Sequence, residues 1–164
     1  MKKQLPILVI LLWLMCSQTM AQKILLKIGA LTAPGGEEVR AIDFKVDATT
    51  TWVFGGGASV GAPKVHELLV KKTNGTSTNE LFKKILTGGS LPEVVLEYYD
   101  AANVMYFRIT LKSVFLSNFF WLSPECPTCL KLEHQVAFVP KQIETFDVST
   151  GVTLGFDVTN RMTY

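Results

Sequence analysis

KVHELLVKKTNGTSTNELFKKILTGG (residues 64–89) opens as a strand and closes as a helix, and it decides the fold because almost nothing else in the chain has a helical pattern. Residues 65–72 read as a strand and Asn74-Gly75 as a turn. Ser77-Thr78-Asn79-Glu80 has the form of a capping box, in which a hydroxyl and a glutamate satisfy the free amides of a helix start. Leu81, Phe82, Ile85 and Leu86 then share one face, and Gly88-Gly89 supplies a left-handed stop. A helix over about residues 78–87 is too short to be stable alone in water, so its apolar stripe must dock on a sheet. Asn74-Gly75-Thr76 also has the form of a glycosylation acceptor, but its place between strand and helix favours the turn.

Outward from this stretch the pattern is strand after strand. Residues 23–29 form a short apolar run of the buried-strand kind, and residues 39–52 alternate in part before a Thr-rich end. Residues 55–63 are glycine-rich and uncharged and read as a loop; their spacing matches neither a dinucleotide nor a P-loop pattern. Residues 93–99 and 105–116 are joined by Asp100-Ala101-Ala102-Asn103, which reads as a hairpin. In the second of these strands Phe107, Ile109 and Leu111 alternate with Arg108, Thr110 and Lys112, giving one core face and one wet face. A further strand pattern over residues 130–146 is interrupted by Pro140, which predicts an edge or a bulge. Hairpin connections, no βαβ alternation and a single helix predict a mainly β fold: a small antiparallel β-barrel or sandwich with one short flanking α-helix.

The N-terminus is read apart from the fold. Lys2 and Lys3, the apolar run of residues 5–15 and a small-residue site ending at Ala21 compose a signal peptide over residues 1–21, leaving a single domain over residues 22–164. The apolar run is shorter than a bilayer crossing needs, so no stable membrane insertion of the mature chain is expected. Removing the leader takes two lysines and no acid, so the 14 acidic residues face an equal number of basic ones. A neutral chain does not suit nucleic-acid or anionic-membrane binding, which need clustered lysine and arginine.

Several pieces together carry a family resemblance. The strand ending in Lys71-Lys72, the polar turn and the helix closing on Thr87-Gly88 are one; YFRITLKSVFLSNF (residues 106–119), ILLKIGAL (residues 24–31) and GFDVTN (residues 155–160) are the others. In this order, over nearly all of residues 23–160, they resemble the haemolysin-coregulated proteins, Hcp, which form the inner tube of type VI secretion systems. The resemblance implies a small Hcp-like β-barrel that assembles with copies of itself into hexameric rings. The rings stack into a tube, work with secretion-apparatus proteins and hold small protein cargo in the lumen; no catalysis and no cofactor are implied. Tube proteins assemble in the cytoplasm without an export signal. The leader therefore implies an exported, periplasmic or secreted relative, unless Met20 is the true start and the protein is cytoplasmic.

Cys126-Pro127-Thr128-Cys129 admits a redox dithiol, half a zinc site or a local disulfide. A zinc knuckle lacks ligands beyond His66 and His134, and a redox pair would sit at a helix start. In an oxidising compartment a Cys126–Cys129 disulfide is the expected outcome. Phe119, Phe120 and Trp121 follow a strand and precede a proline-rich loop; they read as core at the barrel end or, alternatively, as a subunit contact. Glu93, Glu97 and Asp100 read as an ordinary wet face and turn, and no nucleophile with a nearby base is apparent, so no catalytic, cofactor or metal residue is assigned. The expected function is a structural, non-enzymatic ring subunit. The alternative is an exported monomeric or ring-shaped binding or carrier module that has lost the tube role.

Overall fold

The computed structural model describes residues 22–53, 56–123 and 132–164. Its strands are β1 (Lys23–Lys27), β2 (Glu37–Asp43), β3 (Val46–Asp47), β4 (Thr50–Val53), β5 (Gly57–Val60), β6 (Lys64–Val65) and β7 (Leu68–Thr73). Helix α1 (Thr78–Thr87) follows, then β8 (Leu91–Tyr99), β9 (Met105–Leu122), β10 (Glu133–Asp147), β11 (Val152–Asp157) and β12 (Met162–Thr163). Every strand pairing is antiparallel, and the order β10-β7-β2-β1-β8-β9 returns to β10 through a β9–β10 pairing. The result is a closed six-stranded barrel with β11 and β12 added beside β10, which bears out the mainly β expectation. Closure removes the open edges that a sheet of this size would otherwise expose.

The core follows from period-two alternation. Leu68 and Val70 of β7, Leu96 of β8, Leu111 of β9, and Val136 and Phe138 of β10 are all fully buried. Each such side chain contributes about 1.5 to 3 kcal/mol by leaving water. In β9 the alternation predicted for residues 107–112 holds and is then reset. Ser113 takes a left-handed φ of 51°, so Leu111 and Val114 both face the interior. The strand continues to Leu122 and so takes in the Phe119–Trp121 run, beyond the limit expected from sequence.

Several sequence expectations are corrected. Residues 39–52 form three separate strands rather than one, and within residues 55–63 strand β5 pairs with β4 as a two-stranded ribbon of its own. Pro140 lies in a central strand. β9 pairs along the length of β10, while on the other side the β7 pairing stops at Phe138 and the β11 pairing starts at Gln142. The proline therefore falls in the gap between two partners, where neither ladder asks for its missing N–H.

Helix α1 packs against β9 and ends as expected: Gly88 is left-handed at φ 65°, and the N–H groups of Gly88 and Gly89 donate to the carbonyls of Ile85 and Lys84. Its start differs. Ser77 makes no side-chain cap bond; its hydroxyl and its N–H both donate to the carboxylate of Glu37 on β2. The turn before the helix is closed by Thr78, whose hydroxyl oxygen accepts from the Gly75 N–H at 2.9 Å. The apolar stripe is only partly covered: Leu81 is fully buried, Ile85 half-buried, Phe82 at the boundary, and Leu86 exposed.

Candidate functional site

The expected contact residues sit where the end of β9 meets α1 and β10. Successive strand residues point to opposite faces, so Phe119 and Trp121 fall on one side and Phe120 on the other. Ring centroids of Phe119 and Trp121 are 5.1 Å apart, and Phe82 of α1 closes on them at 5.4 and 6.1 Å. His134 of β10 stacks on Phe119 at 4.8 Å. Phe119 is half-buried in this cluster, whereas Phe120 and Trp121 keep 49% and 46% of their surface exposed. Phe119 thus packs partly buried against the core, while Phe120 and Trp121 are exposed.

Beneath the aromatic cluster lies a polar layer that sequence reading missed. Lys72 is fully buried, with Nζ 2.6 Å from Glu37 Oε2 and within 3.4 Å of the Thr78 hydroxyl. Glu37 also accepts from the Thr76 hydroxyl at 2.9 Å. Burial pushes the Glu37 pKa up, but Lys72 and the Ser77 and Thr76 donors outweigh it and hold the group at about 2. One sequence signal was available: Lys72 continues the period-two line of Leu68 and Val70.

A second feature is a charged cleft of about 490 Å3 on the wet face of β1, β8, β9 and β10, bordered by Thr32, Ala33 and Pro34. It contains the ion pair of Lys27 and Glu97 at 2.7 Å and that of Lys112 with Glu144. Glu97 is pushed up by burial, yet Lys27 and the Tyr99 hydroxyl bring its pKa down overall. Arg108 stands opposite Glu97 and lies over the Phe146 ring at 5.2 Å, with its Nε buried and without a hydrogen-bond partner. Glu93 and Glu97 belong to this wet face as expected, whereas Asp100 closes the β8–β9 hairpin by accepting from the Ala102 and Val104 N–H groups.

A third feature is an apolar groove of about 330 Å3 where β10 leaves β7 for β11, lined by Phe44, Val46, Val65, Ile143, Leu154 and Phe156 among others. The final residues run beside it: Tyr164 and Gly155 exchange two backbone hydrogen bonds, and the Tyr164 hydroxyl donates to Glu144. The last strands therefore pair within the same subunit. His66 lies between β6 and β7 rather than in a strand, with Nε2 2.9 Å from Asp47 Oδ2. The two histidines are not brought together on a ligand set, and among the described residues no group of three or more His, Cys, Asp or Glu could hold a metal ion. Among these residues no helix is long and apolar enough to cross a membrane. Cys126, Cys129 and the leader lie outside the described residues.

Among the described residues the structure is a closed antiparallel barrel with a docked helix, a cleft of paired charges and aromatic side chains left exposed. The profile of the family described as type VI secretion system effector, Hcp, matches residues 32–149, and the chain belongs to this family. The fold is similar to the crystal structure of Hcp1 from Salmonella typhimurium, with a TM-score of 0.72 and 18% identity, covering 88% of this chain and 99% of that one. It is similar to a type six secretion system protein at TM-score 0.76 and 14% identity, covering 88% and 100% of the two chains. It is also similar, at TM-score 0.53 and 9% identity, to a chain of the sixfold-symmetrised anti-feeding prophage baseplate, covering 77% and 93%. No curated protein matches the chain by sequence comparison.

Proposed function

We propose that the mature chain, residues 22–164, is a structural, non-enzymatic subunit that assembles into hexameric rings. The rings stack or enclose small protein cargo, in the manner implied for the Hcp family. The observation that carries this reading is the family match over residues 32–149, on a closed barrel similar to Hcp structures over nearly their whole length. The sixfold symmetry named for the prophage baseplate supports a ring of six. Phe120 and Trp121, both half-exposed, are the residues proposed to meet a neighbouring subunit. In this reading the leader over residues 1–21 exports the protein, and the oxidising setting it enters favours a local disulfide between Cys126 and Cys129.

The test is the absolute molar mass of residues 22–164 by light scattering on a sizing column. Six subunits per particle is the expected result. Trp121→Glu is expected to dissociate that particle into folded monomers; a variant that unfolds instead assigns Trp121 to the core. A stable wild-type monomer overturns the ring. It favours the second reading, an exported carrier module, to which the 490 Å3 charged cleft and the leader both lend support.

A further inference from the structure

Lys72 and His134 are direct cross-strand partners at one end of the barrel interior, and neither has exposed surface. His134 Nδ1 is 3.2 Å from Asn74 Oδ1, an acceptor, which assigns the ring proton to Nδ1 and leaves Nε2 bare. Nε2 is buried and has no hydrogen-bond partner. A proton arriving there would create a buried cation with no acceptor, beside the Lys72 ammonium. The charged groups acting on the ring are Lys72 from β7 and Glu37 from β2. From β9 it meets Phe119 in a stack and Trp121 edge-on at 5.8 Å, with Phe82 of α1 behind them.

The walls of this chamber differ in strength. β7 and β9 both pair with β10 on either side of His134, which lies between Lys72 and Trp121. Helix α1 is a single ten-residue lid whose only buried residues are Thr78 and Leu81. It is anchored at its N-terminus through Ser77 on Glu37, and on β9 through Phe82. Freeing α1 breaks fewer backbone hydrogen bonds than opening the β7–β10 or β9–β10 ladder, and α1 covers the aromatic rings that pack on His134.

We propose that His134 makes the seam between α1 and the barrel an acid-sensitive latch: protonation of its buried Nε2 releases α1 and the aromatic tip of β9 while the barrel remains closed. Burial, then the neighbouring Lys72, lower the His134 pKa to about 4, with Glu37 opposing them. The sign follows from that depression. The latch is at full strength above the pKa of an exposed histidine, near 6.5, and weakens as pH falls from there to about 4. Over that window the open fraction rises by about a hundredfold, as the difference between the two pKa values requires. The device belongs to the subunit and does not require a ring.

The test is amide hydrogen exchange, with peptides resolved, on residues 22–164 between pH 7 and pH 4, corrected for intrinsic exchange and paired with an NMR titration of the two histidines. The expected result is protection in α1 falling ahead of that in β1, β8 and the first half of β9, with His134 titrating well below pH 6.5. In His134→Gln this acid loss of α1 protection disappears. An ordinary His134 titration near pH 6.5, or α1 and the barrel losing protection together, overturns the proposal. The wild-type titration decides the matter even if the variant fails to fold.

Discussion

Glu37 on β2 reaches across to Lys72 on β7 at 2.6 Å, and the same carboxylate receives the Ser77 N–H and hydroxyl at the start of α1. One acidic side chain thus joins two barrel strands to the helix. It is 11% exposed and its partner is fully buried, so the pair is shielded from salt screening.

Breaking this pair from one side strands the other charge. Lys72→Met is expected to cost about 3 kcal/mol, because the shielded carboxylate loses its counter-ion. Combining it with Glu37→Gln, which keeps an acceptor for Ser77, should restore much of that loss. Urea unfolding midpoints of the three variants measure the coupling, and simple additivity would show that the pair does not act as a unit.

The same carboxylate sets an acid limit. Its folded pKa is depressed to about 2, below the ordinary value of 4.5, so its stabilisation is complete above pH 4.5 and fades as pH falls towards 2. The slope of stability against pH between 4.5 and 2 should therefore be shallower in Glu37→Gln than in the wild type. An unchanged slope would place the acid sensitivity elsewhere.

Ser113 adopts a left-handed φ of 51°, which lets Leu111 and Val114 face the same interior. Ser113→Gly should leave the melting temperature unchanged or raise it. Ser113→Val, β-branched at a position that disfavours any side chain, should cost about 1 to 3 kcal/mol.

Gly155 lies beneath the Tyr164 ring, and a side-chain carbon added there would occupy the place of that ring. Gly155→Ala should displace Tyr164, break its hydroxyl contact with Glu144 and cost about 1 kcal/mol. If the clash is the cause, Gly155→Ala should add little to a Tyr164→Ala background. Hydrogen exchange at the Gly155 N–H reads the displacement directly.

What the sequence determined by itself was local. Alternation in residues 107–112 placed Ile109 and Leu111 in the core, Gly88-Gly89 stopped the helix, and Asp100 to Asn103 turned the hairpin, because each depends on dihedrals and contacts within a few residues. The ordered family motifs extended this to the barrel. The tertiary structure alone decided that β10 passes from β7 to β11 at Pro140, and that residues 119 and 121 turn towards α1 while residue 120 faces away. It alone decided that the helix is held by Glu37, 40 residues before Ser77, and not by its own capping box. Those outcomes turn on which strands meet when the barrel closes, and a buried charge finds its partner through that closure, at a sequence distance no local pattern encodes.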